Sequence, residues 1–164
     1  MTQKDWPPID LPEEDVARVL KIQLELLQIS EGHDSFVSVM TSLVRLAIDE
    51  VIDTGRSGRL RFSELETTEK AYIGVRTEIL FRNMFSLEHG ALDVVVAGED
   101  VDIKNTTRGQ WMIPTHSVGK PCLLIRSEPE ADPGTCSVGL AIAREEYLNE
   151  GTNQDKKRTF KAAH

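Results

Sequence analysis

The sequence predicts an α/β or α+β domain in which helices come first and a mixed sheet follows. Two patterns carry that expectation. Apolar residues recur at three- and four-residue steps through the first half, and near residue 90 this period gives way to β-rich, alternating runs. Size agrees: 164 residues with 40% hydrophobic and 28% charged side chains suit one globular domain with its own core.

Taken in order, residues 1–12 are polar, acidic and proline-bearing, and read as a flexible N-terminus rather than a secretory signal. Residues 13–29 form an amphipathic helix with Val16, Val19, Leu20, Ile22, Leu26 and Leu27 on its apolar stripe and acids in its first turn. A loop at 30–35 leads to a second helix over 36–53. The segment 54–59 (TGRSGR) is a turn-rich break. Ser63 is placed to cap a third helix, with Glu66 completing a capping box, and that helix runs to about Phe85. The run 92–97 (LDVVVA) and the alternating 101–105 (VDIKN) are strands joined by a short turn at Gly98-Glu99. Residues 121–125 and 136–143 are further strands, with 129–134 in the loop between them. The tail from Asn149, with Lys156, Lys157, Arg158 and Lys161, is either a last short helix or a fraying end.

Composition excludes several classes. No apolar run approaches the roughly 20 residues that span a bilayer. Cys122 and Cys136 lie in apolar stretches without metal-type neighbours and read as buried reduced thiols of a cytoplasmic protein. His33, His89 and His164 have no ligand spacing, which argues against zinc. The net charge of −8 disfavours a non-specific nucleic-acid coat. Yet residues 1–54 hold 11 acidic and 4 basic side chains, so the rest is close to neutral and leaves room for a local basic groove.

The chemistry concentrates at Asp93 and at Asp102-Ile103-Lys104. In a hairpin with Gly98-Glu99 as its loop, Asp93 faces Lys104 and Val95 faces Asp102. Alternation then puts Asp93, Asp102 and Lys104 on one face, and Val94, Val96 and Ile103 on the other, toward a core. Two close carboxylates stay ionised cheaply only with a cation between them. Magnesium suits such a pair, because it binds through one or two carboxylates while keeping waters and a substrate phosphate. Lys104 would orient water or stabilise phosphoryl charge. Glu78, set among apolar residues on the third helix, could add a third carboxylate. Spacing alone leaves open a solvated strand face with a surface ion pair.

Beyond spacing, three ordered blocks resemble the catalytic domain of the NaeI-type restriction endonucleases: 54–78 (TGRSGRLRFSELETTEKAYIGVRTE), 92–104 (LDVVVAGEDVDIK) and 110–125 (QWMIPTHSVGKPCLLI). A weaker block lies at 150–158 (EGTNQDKKR), and the likeness covers about residues 36–160. The resemblance implies a restriction-endonuclease-like core, a mixed central sheet flanked by helices, filling 13–164 as one catalytic domain. It implies a Glu … Asp … Asp-x-Lys series falling on Glu78, Asp93, Asp102 and Lys104, with the three acids as metal ligands for Mg2+ or a substituting Mn2+. It further implies a homodimer cutting double-stranded DNA at a short palindrome, leaving 5′-phosphates, beside a cognate DNA methyltransferase. The relatives' second, winged-helix effector domain has no counterpart here, so the chain reads as a stand-alone or a truncated nuclease. Rival readings are a repair, nicking or branched-DNA nuclease on the same core, and a catalytically silent DNA-binding module. Lys70, Arg108, Gln110, His116 and Lys120 are the DNA-contact candidates, with donors suited to phosphates or base edges. Trp111 reads as core, and Arg56, Arg59 and Arg61 as a basic turn.

Overall fold

The computed structural model describes residues 12–131, 135–151 and 153–161. The expected flexible N-terminus, apart from Pro12, lies outside them, as does His164. Helix α1 (Glu13–Ile29) carries Glu13, Glu14 and Asp15 in its first turn, where carboxylates complement the helix dipole. Helix α2 (His33–Ile52) begins three residues earlier than its apolar pattern alone implies. Thr54–Ser57 makes a single helical turn, α3, inside the expected break. Helix α4 (Thr67–Met84) ends close to the expected position but starts later. Ser63 does not cap it: Phe62–Glu64 is a separate 3-10 turn. The cap moves three residues on, where Glu69 accepts the Glu66 N–H at 2.8 Å and is itself gripped by Arg59 at 2.7 and 2.8 Å.

Among the described residues six strands follow: β1 (Val94–Val96), β2 (Glu99–Thr106), β3 (Met112–Ile113), β4 (Pro121–Glu128), β5 (Thr135–Ile142) and β6 (Arg158–Thr159). The main sheet has the order β1-β2-β4-β5 and is mixed: β2 and β4 run parallel, and the other two pairings are antiparallel. β4 is an inner strand, and residues 121–125, an unbroken apolar run, are buried on both faces. Alternation divides it. Leu123 and Ile125 join the larger core with α1, α2 and α4, whereas Cys122 and Leu124 join a second core with Trp111, Ile113, Ala141 and Leu148.

The second core is covered by the β3–β6 ribbon, so among the described residues the basic tail contributes a short strand and not a helix. Phe160 packs under it and anchors the return of the chain. Trp111 is buried there as expected, and its indole N–H donates to the Ile125 carbonyl at 3.0 Å. Both thiols are free, but only Cys122 is fully buried; Cys136 is half-buried. Among the described residues no helix is long and apolar enough to cross a membrane.

Candidate active site

The site begins with a turn. β1 and β2 pair as Val94 with Val101, Val95 with Asp100 and Val96 with Glu99. The loop is therefore Ala97-Gly98, one residue earlier than expected. Both residues take positive φ, 51° and 75°, the geometry of a type I′ turn matched to strand twist. Moving the turn by one residue shifts cross-strand partners by two, so every side chain keeps its face while its neighbour changes. Asp93 consequently lies in line with Asp102 rather than with Lys104. The turn costs something, since Ala97 sits in a left-handed conformation that disfavours a Cβ. Ala97→Asn, giving the Asn-Gly pair this turn prefers, is expected to raise stability by about 1 kcal/mol. Urea denaturation would measure it, and an unchanged or lower midpoint would contradict the turn assignment.

β1 is short, and this opens the site. Its pairing ends at Val101, so from Asp102 to Thr106 β2 has a strand neighbour only in β4. Along the free edge, the Ile103 N–H donates instead to Asp93 Oδ2 at 2.6 Å. Asp102 is buried, with Oδ1 against Lys104 Nζ and Oδ2 left without a hydrogen-bond partner. Lys104 Nζ also lies 3.8 Å from Asp93 Oδ2 and 2.9 Å from the Ile103 carbonyl. Glu78 reaches the same place from α4, the helix that packs against β2.

Electrostatics tie these groups together. Burial pushes the Glu78 carboxyl up to about 7, helped by the charges of Asp93 and Asp102 and opposed by Lys104 and Arg82. Burial likewise raises Asp93, with Asp102 adding to it and the Ile103 N–H and Lys104 pulling the other way. For Lys104, burial works to lower the ammonium. The carboxylates of Asp102, Asp93 and Glu78 outweigh it, so Lys104 stays above the ordinary lysine range and is a fixed cation. Cys122, opposite Asp102 on β4, is pushed up to about 12 by burial and by that neighbouring charge, which makes it an inert thiol.

The Glu78 shift has a measurable sign. Its folded value lies above the ordinary 4.5, so between those values the folded state binds more protons than the unfolded one. Its contribution is most favourable below about 4.5 and declines as pH rises through about 7. In metal-free buffer, Glu78→Gln should raise the melting midpoint at about pH 8 and flatten its slope from about pH 5 upward. Calorimetry across that range checks it; an unchanged slope would mean that Glu78 titrates as an ordinary carboxylate.

All four residues line one open groove of about 990 Å3. Its floor is the free edge of β2. α4 forms one wall, and the loop after β2 together with the β3–β6 region forms the other. Of the five proposed DNA contacts, Lys70, Arg108, Gln110 and His116 line this groove too. Lys120 does not; it stands beside β4's start, where its charge helps to lower the Glu99 carboxyl. Arg59 is tied to Glu69, Arg56 to Asp53, and neither lines the groove. Sequence reading missed one contributor, Arg82, and named Lys157 only as part of the basic tail. Arg82 donates to the Asp93 carbonyl at 3.4 Å, and Lys157 lines the groove from the tail. The block 150–158 was the available signal for Lys157.

Among the described residues, no three His, Cys, Asp or Glu side chains form a ligand cluster. Glu78 shares the groove without joining Asp93 and Asp102 around a common point. The pair itself fits a hard divalent cation. Two oxygen donors sit side by side, one Asp102 oxygen is buried and unpartnered, and magnesium needs only one or two carboxylates.

Helices against a mixed sheet, with aligned aspartates and a lysine at the half of β2 that β1 leaves unpaired, define a restriction-endonuclease-like α/β core. The family described as restriction endonuclease NaeI matches residues 28–164. The chain is also 31% identical over 149 residues to the type II restriction enzyme NaeI of Lentzea aerocolonigenes, an alignment covering 90% of this chain. It therefore belongs to the NaeI restriction endonuclease family. It spans 44% of the length of that relative.

Proposed function

We propose that this chain is the catalytic core of a magnesium-dependent endonuclease that hydrolyses phosphodiester bonds of double-stranded DNA. The supporting observation is the buried, unpartnered Asp102 oxygen beside Asp93 and Lys104, on the floor of a groove whose walls carry Lys70 and Arg108. Asp93 and Asp102 would hold the ion, with Glu78 as a further acceptor from α4. Bound there, the ion supplies Lewis-acid polarisation of the phosphate and acidification of water.

The protein's own part follows from its charges. The carboxylates of Asp102, Asp93 and Glu78 hold Lys104 as an ammonium in the metal-free site, placed to stabilise negative charge on the phosphoryl oxygens. The Ile103 N–H fixes Asp93, and the Asp102 contact fixes Lys104, so the polar groups are set before substrate arrives. Water adds to phosphorus, the bond to the 3′ oxygen breaks, and that oxygen takes up a proton, leaving a 5′-phosphate. Lys70, Arg108, Gln110 and His116 contact the duplex. A homodimer would match a palindromic site half by half. Restriction of foreign DNA in a prokaryotic cytoplasm, beside a protective methyltransferase, completes the reading.

The test is digestion of a mixed plasmid library with and without magnesium or manganese. Discrete double-strand cuts that need the metal support the proposal, and end sequencing gives the site. Nicked circles alone would favour a nicking nuclease. Binding of DNA without cleavage under either metal would favour a silent binding module.

A further inference from the structure

One lysine of the basic tail is turned into the groove and held there by its backbone. Asn153 Oδ1 accepts the N–H groups of Asp155 at 3.0 Å and Lys157 at 2.9 Å, and the Asn153 N–H donates to the Lys157 carbonyl at 3.0 Å. The Thr115 hydroxyl donates to the Lys156 carbonyl at 3.3 Å. Pairing of Arg158 with Ile113 and Thr159 with Met112 then fixes the register. Alternation places Lys157 and Thr159 on the face of Met112, which also lines the groove, while Phe160 turns to the second core.

Neighbouring tail cations are engaged elsewhere. Arg158 grips Glu145 at 2.5 and 2.8 Å, and Lys161 donates to the Glu146 carbonyl at 2.8 Å. Lys156 is exposed on the turn and does not line the groove. Among the described residues Lys157 has no carboxylate partner. Across the groove Lys70 is in the same condition, its ammonium 5.2 Å over the Phe62 ring and 3.4 Å from the Ser63 carbonyl. The acids lie on the floor between these walls. A polyanion laid along the β2 edge would thus meet a lysine on each side and the carboxylate site beneath.

Resting on the endonuclease reading, we propose that Lys157 is a positioning residue that contacts the DNA phosphate backbone and, with Lys70 opposite, seats the duplex over Asp93 and Asp102. An ammonium is a point charge without base-edge selectivity, so the contact is sequence-independent.

The experiment is fluorescence anisotropy of labelled duplexes of unrelated sequence over a salt series, in metal-free buffer, with wild type, Lys157→Ala, Lys157→Arg and Lys156→Ala. Lys157→Ala should weaken binding about 5- to 10-fold on every duplex and reduce the slope of log K against log salt by about 0.9. Lys157→Arg should restore both, and Lys156→Ala should match wild type. An unaltered slope in Lys157→Ala, even with weaker binding, would show a structural role only and overturn the proposal. Wild-type protein that binds no duplex at any salt would overturn the Lys157 contact, while the endonuclease reading stands or falls separately on the metal-dependent digestion.

Discussion

Asp102→Asn is expected to lower the rate of DNA cleavage by about 10³-fold or more while the protein still folds and still binds DNA. The substitution keeps the side chain's size inside a site that is 2% exposed, so packing is conserved. It removes the negative charge that faces Lys104 and replaces one carboxylate oxygen by an NH2 group that cannot ligate a cation. Oδ2 makes this an exacting position in the groove, since among the described residues it has no hydrogen-bond partner. Loss of rate with intact binding is the signature of an interaction made in the reaction rather than in docking. Initial rates of plasmid digestion, with melting curves and duplex binding alongside, decide it. Cleavage within a factor of about ten of wild type would move the chemistry away from Asp102.

Phe81→Ala should cost about 3–5 kcal/mol, the usual range for deleting a buried phenyl ring. Phe81 has no exposed surface, and its ring lies 4.7 Å from that of Phe85, which in turn lies 5.7 Å from Phe36 on α2. This aromatic chain ties α4 to α2 one turn beyond Glu78. For a domain of this size the loss should lower the melting midpoint by about 10 °C. Activity measured well below the new midpoint should also fall, because α4 carries Glu78 and Lys70 to the groove. A change of less than about 1 kcal/mol would mean that the core collapses around the gap and that the ring is not a fixed strut.

Much of this arrangement is visible in the sequence, and the physical reason is periodicity. α1 falls on the expected residues because its stripe and acidic first turn agree. Asp93, Asp102 and Lys104 share a face because side-chain alternation survives a misplaced turn. What escapes is anything decided by distant partners. Ser63 looks like a cap, but Arg59 recruits Glu69 and the cap forms around Glu66. The tail reads as a last short helix or a fraying end, yet Met112 and Ile113 offer it an edge to pair with. Asp15 is one of the acids of a first turn, with no local signal of burial. It is nonetheless fully buried, clasped by Arg144 at 2.7 and 2.9 Å from 129 positions away. No local pattern encodes such a pair, and it locks α1 against the end of β5.

The brevity of β1 has a cost in colloidal terms. A half-free strand in the middle of a domain is a template on which another copy could add its own strand, the usual seed of aggregation. Here the carboxylate of Asp93 plugs the Ile103 N–H, and the charges around it make a dry, strand-on-strand seam unfavourable. The groups assigned to the chemistry are therefore also gatekeepers of solubility. Variants that neutralise several of them at once trade a silent site for a sticky one, and an inactive precipitate should not be mistaken for an inactive enzyme.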